Sequence, residues 1–167
     1  MSVSSRFDSL FSVHGPALSR LAASYTRGTA EREDLLQEIA FAIWQALPRF
    51  RGECSERTFV FRIAHNRALS HIGRRRLPLA DGDEHLEITS PVPDPERALS
   101  SEQDGRRLLD AIRRLPLPYA QVVTLSLEEL TYAEIGEVLG ISETNVGARL
   151  TRAREMLRAL LRSADER

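Results

Sequence analysis

A proline-rich, acidic segment near the middle of the chain limits the architecture more than any other feature of the sequence. Residues 77–99 contain Pro78, Pro91, Pro93 and Pro95, and residues 81–96 carry six acidic side chains with no arginine or lysine. Prolines spaced this closely cannot continue a helix or a central strand, and segments of this composition typically act as linkers. The sequence therefore predicts two small modules joined by a flexible acidic linker at 77–99.

The two flanking segments have the composition and periodicity of helices. Leu, Ala and Ile supply most of the apolar residues, aromatic residues make up only 6% of the chain, and no stretch alternates as a strand would. Gly15-Pro16 is expected to kink or restart the first helix. We predict an all-α protein with domains at 5–76 and 100–163, and with N-terminal helices over about 7–25, 30–47 and 57–72.

Positive charge is concentrated in two blocks, although the net charge of the chain is only −1. Residues 49–76 contain eight arginines against two glutamates, and residues 141–162 contain five arginines against two glutamates. Clustered arginine is the usual electrostatic footprint of nucleic-acid binding. Solvated helix faces are the alternative interpretation of the same pattern.

Several classes of protein are disfavoured by what the sequence contains. Cys54 is the single cysteine, so it can form neither an intrachain disulfide nor a cysteine metal cluster. Cys54 and His65 could suggest a thiol nucleophile and its base, but no third group is apparent to orient them. We expect no catalysis, no cofactor and no metal site. Without a signal peptide or a long apolar run, we also expect a cytoplasmic chain that does not insert into a membrane.

The segment LTYAEIGEVLGISETNVGARLTRAREML predicts a helix-turn-helix. Tyr132–Leu139 has helical periodicity, Gly140 suits a left-handed turn, and Ser142 is a good N-cap for the second helix. That second helix would bury one face and place its polar face in the major groove of DNA. A helical corner that never touches DNA remains the alternative. The residues predicted on the polar face are Thr144, Ala148, Thr151, Arg152 and Glu155.

This segment resembles region 4 of sigma factors, and DLLQEIAFAIWQALPRFRGECSERTFVFRIAHNRALSHIGRRR resembles regions 2.2 to 2.4 of an extracytoplasmic-function (ECF) sigma factor of the sigma-70 family. The resemblance covers nearly the whole chain. It implies an alternative sigma factor that binds core RNA polymerase, through the β′ clamp helices and the β flap, and initiates transcription at promoters with −10 and −35 elements. It also implies an anti-sigma factor as a further partner.

The resemblance assigns a role to individual residues. The polymerase-binding surface would consist of Asp34, Gln37, Glu38, Phe41 and Trp44, with a core position for Trp44 left open. The −10 element would be read by Arg51, Phe59, Arg62, Asn66, Ser70, Arg74, Arg75 and Arg76, with the loop Arg51–Arg57 receiving a flipped base. The −35 element would be contacted by Ser142, Thr144, Ala148, Arg149, Thr151 and Arg152.

Two departures from the family pattern affect these assignments. Phe59 stands where the family usually has Trp, which preserves an aromatic ring. Gly147 and Ala148 occupy positions at which members of the family often carry a basic and a small polar residue. The promoter sequence that relatives recognise therefore cannot be carried over to this chain.

Two other functions compete with the sigma-factor interpretation. A conventional helix-turn-helix regulator would explain the C-terminal half but not the arginine-rich segment 49–76. Such a regulator should bind a specific duplex alone, whereas a sigma factor should need core polymerase. A regulator that acts purely through protein contacts would leave both basic blocks unexplained.

Overall fold

Seven α-helices make up the structure, a computed structural model that describes residues 2–76 and 96–165. No strand occurs in these ranges, which confirms the predicted all-α class. A 3-10 turn at Leu47–Arg49 follows the second helix. The helices are α1 (Val3–Tyr25), α2 (Thr29–Ala46), α3 (Glu56–Arg76), α4 (Glu96–Arg114), α5 (Leu117–Leu127), α6 (Tyr132–Leu139) and α7 (Glu143–Asp165).

The N-terminal domain consists of α1, α2 and α3, which pack on one another around a buried aliphatic core. α1 runs through Pro16 as one helix, so of the kink or restart expected at Gly15-Pro16 the restart does not occur. Leu10 lies before the proline and Leu18 and Leu21 after it, and all three are buried. Burial of this stripe outweighs the roughly 3 kcal/mol that a proline costs inside a helix.

The C-terminal domain consists of α4 to α7, with α5 and α6 both packed on α7. Its core includes Val122, Leu125, Ile135 and Leu150, each almost completely buried. α4 begins at Glu96, four residues before the predicted domain boundary at residue 100. The rest of the predicted acidic linker, residues 77–95, lies outside the described residues.

The two domains also pack against each other, which the sequence did not predict. α3 contacts α6, and α1 contacts both α4 and α5. The guanidinium of Arg113 donates two hydrogen bonds, of 2.9 and 3.2 Å, to the carbonyl oxygen of Ala23. The buried apolar side chains of both domains therefore belong to one contiguous cluster.

Candidate nucleic-acid interface

Local hydrogen bonds and two glycines build the helix-turn-helix. Thr131 caps α6 in a reciprocal capping box with Glu134, with hydrogen bonds of 3.2 and 2.7 Å. Gly140 ends α6 in the left-handed conformation, at φ 69°. A Cβ on Gly136 would lie only 2.7 Å from the carbonyl oxygen of Ile141, so no larger residue fits there. The turn predicted at Gly140 is confirmed, and the need for Gly136 is visible only once the turn is folded.

The N-terminus of α7 is capped as predicted. The Ser142 Oγ accepts a hydrogen bond from the Asn145 amide at 3.2 Å. Val146, Leu150 and Ala153 are buried, so the opposite face of α7 points toward solvent. The exposed residues on α7 and its cap include Ser142, Thr144, Ala148, Thr151 and Arg152, while Arg149 is half-buried.

Tyr132 is a neighbour of this exposed face that the sequence analysis missed. Its ring lies over Gly147, where an added Cβ would meet the ring at 3.4 Å. Tyr132 is 43% exposed, so it lies on the surface beside Gly147 and not in the core. Tyr132 directly follows the capping residue Thr131, a Thr-x-x-Glu signal that is readable in the sequence.

The loop before α3 is anchored at both of its ends. Phe50 and Phe59 stack with ring centroids 4.3 Å apart, and the Arg6 guanidinium lies 5.3 Å from the Phe50 ring centroid. The Ser55 Oγ accepts a hydrogen bond from the Thr58 amide at 3.1 Å, which caps α3. Phe59 is therefore half-buried, and its ring closes the base of the loop rather than projecting freely.

One face of α3 is buried and the other carries the predicted DNA-binding side chains. Phe61, Ala64 and Ala68 are buried, while Arg51 in the loop and Arg62, Asn66 and Ser70 on α3 are exposed. The Ser70 hydroxyl donates to the Asn66 carbonyl oxygen at 3.0 Å. The arrangement leaves the Asn66 amide group on an exposed surface, as base recognition would require.

The arginines at the end of α3 are paired with acidic residues of α2. Arg74 contacts Glu38 at 2.6 Å, and Arg75 contacts Glu31 at 2.8 Å. The side chain of Arg76 lies outside the part of the chain that the structure describes. Two of the cations predicted to hold phosphate thus have protein partners in this arrangement.

Glu31 is the centre of that cluster. It also contacts His71 at 2.7 Å and accepts a hydrogen bond from the Arg27 amide at 2.7 Å. Burial alone would raise the pKa of Glu31, but the Arg27 amide, His71 and Arg75 together lower it below its ordinary value. The carboxylate stays charged at neutral pH and holds the end of α3 against the start of α2.

The exposed side of α2 carries a large aromatic pair. Phe41 and Trp44 stack with ring centroids 6.3 Å apart, and they are 58% and 47% exposed. Trp44 is therefore a surface residue and not part of the core, which settles the question left open by the sequence. Asp34 and Gln37 are exposed on the same helix, and Glu38 is partly exposed.

Of the two groups that could suggest catalysis, Cys54 lies in the loop before α3 and His65 lies on the buried face of α3. His65 is buried beside the Tyr25 ring, and burial lowers its pKa to about 4. Its Nδ1 and the Tyr25 hydroxyl have no hydrogen-bond partner among the described residues. In the same ranges, no group of three or more His, Cys, Asp or Glu side chains could hold a metal ion. None of the described helices is long and apolar enough to cross a membrane.

Comparison with known proteins decides between the remaining interpretations. The models of sigma-70 region 2 and sigma-70 region 4 match residues 10–77 and 105–157. The RNA polymerase sigma factor NccH of Alcaligenes xylosoxydans xylosoxydans is 33% identical over 163 residues, which cover 95% of this chain and 88% of NccH. The chain belongs to the ECF subfamily of sigma-70 factors. It is a promoter-recognising sigma factor, whose partners are RNA polymerase and promoter DNA.

Other relatives and solved structures agree with this assignment. The ECF sigma-E factor of Haemophilus influenzae is 30% identical over 83% of this chain and 80% of its own length. CnrH, solved in complex with the cytosolic domain of CnrY, has a TM-score of 0.71 at 25% identity, covering 94% of this chain and 88% of CnrH. RpoE of Bartonella quintana, solved with the anti-sigma factor NepR, shares the fold, with a TM-score of 0.75 at 22% identity and coverage of 94% and 97%. A conventional helix-turn-helix regulator would not account for the match to region 2.

Proposed function

We propose that this sigma factor uses three surfaces to bring core polymerase to a promoter and open it. The −35 surface consists of Ser142, Thr144, Ala148, Arg149, Thr151 and Arg152. The −10 surface consists of Arg51, Phe59, Arg62, Asn66, Ser70, Arg74, Arg75 and Arg76. The core-binding surface consists of Asp34, Gln37, Glu38, Phe41 and Trp44. The observation that carries the proposal is that each domain presents polar side chains on a helix whose opposite face is buried.

The −35 surface would read duplex DNA by direct contacts in the major groove. An exposed helix face with a short N-terminal turn fits that groove, and an arginine can contact guanine through two hydrogen bonds. Arg152 is exposed and suited to this role, and the Ala148 methyl could contact a thymine methyl. The Thr151 hydroxyl already donates to the Gly147 carbonyl oxygen at 3.0 Å, so its methyl group is the part left for DNA.

The −10 surface would bind melted DNA. Unpaired bases can turn out of the stack toward exposed hydrogen-bonding and aromatic groups, while arginines bind phosphates and add salt dependence. The exposed Asn66 and the anchored loop before α3 support this role. Arg74 and Arg75 would either exchange their carboxylate partners for phosphates, or keep those partners and stabilise the packing of α3 against α2.

The core-binding surface would use the stacked Phe41–Trp44 pair as its anchor. Large aromatic residues dominate protein interfaces energetically, and an exposed pair of this size has no role in the core of the domain. We place the β′ clamp helices on this surface and the β flap on the C-terminal domain. Bond-making chemistry then belongs to the polymerase, and this chain supplies recognition and strand opening without a catalytic residue.

An anti-sigma factor is a further proposed partner, and the cytoplasm the proposed location. RpoE of Bartonella quintana is seen with an anti-sigma factor, and CnrH with the cytosolic domain of CnrY. Both structures have the fold described above.

Run-off transcription over fragmented genomic DNA tests the proposal as a whole. Purified core polymerase with this protein should produce discrete start sites that core alone does not produce. Alignment of those starts would supply the promoter sequence. No new starts, together with tight binding of the protein alone to a specific duplex, would contradict the proposed function.

A matched set of variants tests the division of labour. Asn66→Ala should weaken discrimination within the −10 element, and Arg152→Ala within the −35 element, each by about tenfold for a lost hydrogen-bonded base contact. Trp44→Ala should instead weaken binding to core polymerase, while Val13→Ala, another exposed apolar residue, should not. If Asn66→Ala and Arg152→Ala both kept the promoter preference of the wild type, the proposed −10 and −35 surfaces would be wrong.

A further inference from the structure

Arg6, in the first turns of α1, contacts both ends of the loop that precedes α3. Its guanidinium carbon lies 5.3 Å from the centroid of the Phe50 ring, at the start of the loop. Its Nη2 donates a hydrogen bond of 3.0 Å to the Glu56 carboxylate, at the end of the loop. We call residues 51–55, which lie between these two contacts, the −10 loop. Arg6 belongs to none of the three proposed surfaces, yet it touches both flanks of this loop.

The middle of the −10 loop is exposed. Arg51, Gly52 and Glu53 all face solvent. Gly52 adopts the left-handed conformation at φ 75°, and a Cβ added there would have no neighbouring atom within 4 Å. At the end of the loop, the Ser55 Oγ accepts a hydrogen bond from the Thr58 amide at 3.1 Å. The shape of the loop therefore depends mainly on the groups that hold its two ends.

Two aromatic rings join the flanks of the −10 loop, and Arg6 contacts one of them. The Phe50 and Phe59 rings stack with their centroids 4.3 Å apart, and Phe59 belongs to the proposed −10 surface. At 5.3 Å, the Arg6 guanidinium is close enough to the Phe50 ring for a cation–π contact. This contact and the ion pair with Glu56 connect the aromatic stack to the first turn of α3. Without Arg6, Phe50 and Glu56 would lose their common partner.

The start of α1 holds Arg6 in place. The Ser2 Oγ accepts a hydrogen bond from the Ser5 amide at 3.2 Å, which caps the helix. The next residue, Phe7, packs against the core of the domain, and its ring stacks on Phe11 with centroids 5.4 Å apart. The backbone of Arg6 is thus anchored on the domain, so its side chain can restrain the loop.

We propose that Arg6 is a positioning residue for −10 recognition, which holds the −10 loop in the shape that accepts a base turned out of the melted strand. This inference rests on the proposed function, because it assumes that the loop receives such a base. A loop that already has its bound shape loses less conformational entropy when it binds. Exposed ion pairs and cation–π contacts contribute little to folding. The effect of Arg6 should therefore appear in capture of the base, and not in stability or in binding to core polymerase.

Binding of the holoenzyme to a single strand that carries the −10 element tests this role. The strand is taken from the start sites mapped by run-off transcription, carries a fluorophore, and is also made with an abasic site at each −10 position in turn. For the wild type, an abasic site at the captured position should weaken binding, because the loop then has no base to hold. Arg6→Ala should weaken binding of the intact strand about three- to tenfold, as expected for a lost preorganisation. It should cause no further loss with the strand that is abasic at the captured position.

Three further variants define which contact acts. Arg6→Lys should recover part of the binding, because lysine keeps the charge that pairs with Glu56 but lacks the planar guanidinium. Glu56→Gln should cause a smaller loss than Arg6→Ala, with the same dependence on the captured base, because Arg6 still contacts Phe50. Arg107→Ala is the matched control, since Arg107 pairs with Asp165 within the C-terminal domain, and it should match the wild type.

The outcomes separate this inference from the proposed function. The positioning role would be wrong if Arg6→Ala left the intact strand unaffected, or if it weakened the intact strand and every abasic strand equally. A clearly lower melting temperature or weaker binding to core in Arg6→Ala would also contradict it, because the effect would then be structural. If no abasic site weakened binding by the wild-type holoenzyme, no base would be captured, and the proposed −10 surface itself would be wrong.

Discussion

The two proposed DNA-binding surfaces of this sigma factor are built in different ways. The helix-turn-helix is stabilised by its own backbone, through the Thr131–Glu134 capping box, the Gly140 turn and the Ser142 cap. The −10 surface is held by side chains from elsewhere, since Glu38 and Glu31 bind its arginines. A motif of the first kind can be read from local sequence, whereas a surface of the second kind depends on which helices meet.

The largest expected effect is a loss of folding stability at acidic pH, and this loss should distinguish the two domains. Burial lowers the pKa of His65 to about 4, so between pH 6.5 and 4 the unfolded chain binds a proton that the folded chain does not. The stability is therefore complete above pH 6.5 and falls as the pH drops toward 4, by on the order of 3 kcal/mol. Residues 96–165 contain no histidine, so this loss belongs to the N-terminal domain.

Urea denaturation at pH 7 and pH 5 measures the larger part of this loss. Trp44 is the single tryptophan, and its fluorescence reports on the N-terminal domain. His65→Leu should flatten the decrease in stability between the two pH values. The lowered pKa of Glu31 adds a second loss, but only below its ordinary value near 4.5. Equal pH dependence in wild type and His65→Leu would show that His65 is not the cause.

The next effect concerns the helix-turn-helix and compares two of its glycines. Gly136→Ala would place a Cβ 2.7 Å from the Ile141 carbonyl oxygen, and we expect a loss of about 2–3 kcal/mol. Gly147→Ala is the matched control, because its Cβ would meet only the Tyr132 ring, at 3.4 Å. A helical glycine replaced by alanine should then stabilise by up to about 1 kcal/mol. Thermal denaturation of both variants measures the difference, and equal melting temperatures would contradict the close approach at Gly136.

The smallest effect concerns the ion pairs behind the −10 surface. Glu38→Gln removes the partner of Arg74, whose side chain is 58% exposed. An exposed pair of this kind contributes less than about 1 kcal/mol, so the free energy of unfolding should change little in urea denaturation. A loss much greater than 1 kcal/mol would mean that the pair is a structural support, and that Arg74 does not change partners to bind phosphate.

Local features of the fold were the most predictable from sequence. The helix Tyr132–Leu139, the turn at Gly140 and the cap at Ser142 all agree with the structure, because each depends on residues within one or two helical turns. A kink or a restart was expected at Gly15-Pro16, and α1 does not restart there, because burial of residues on both sides of Pro16 outweighs the local preference of proline.

The candidate site was predictable only in part. The resemblance assigned residues of α3 to the −10 surface, but it could not show that Arg62 donates to α6 or that Arg74 and Arg75 are paired with α2. It also left Trp44 between core and surface, since large aromatic residues are common in both places. These points depend on contacts between residues far apart in the chain, and a single sequence carries no record of such contacts.

The sequence by itself determined the helical class, the helix-turn-helix and the family, because periodicity, capping and motif order are local properties. Only the tertiary structure decided which arginines are paired with groups of other helices and how the two domains pack against each other. The physical reason is the range of the interactions. A cap or a glycine turn acts over a few residues, whereas the bond between Arg20 and Glu128 joins positions 108 residues apart.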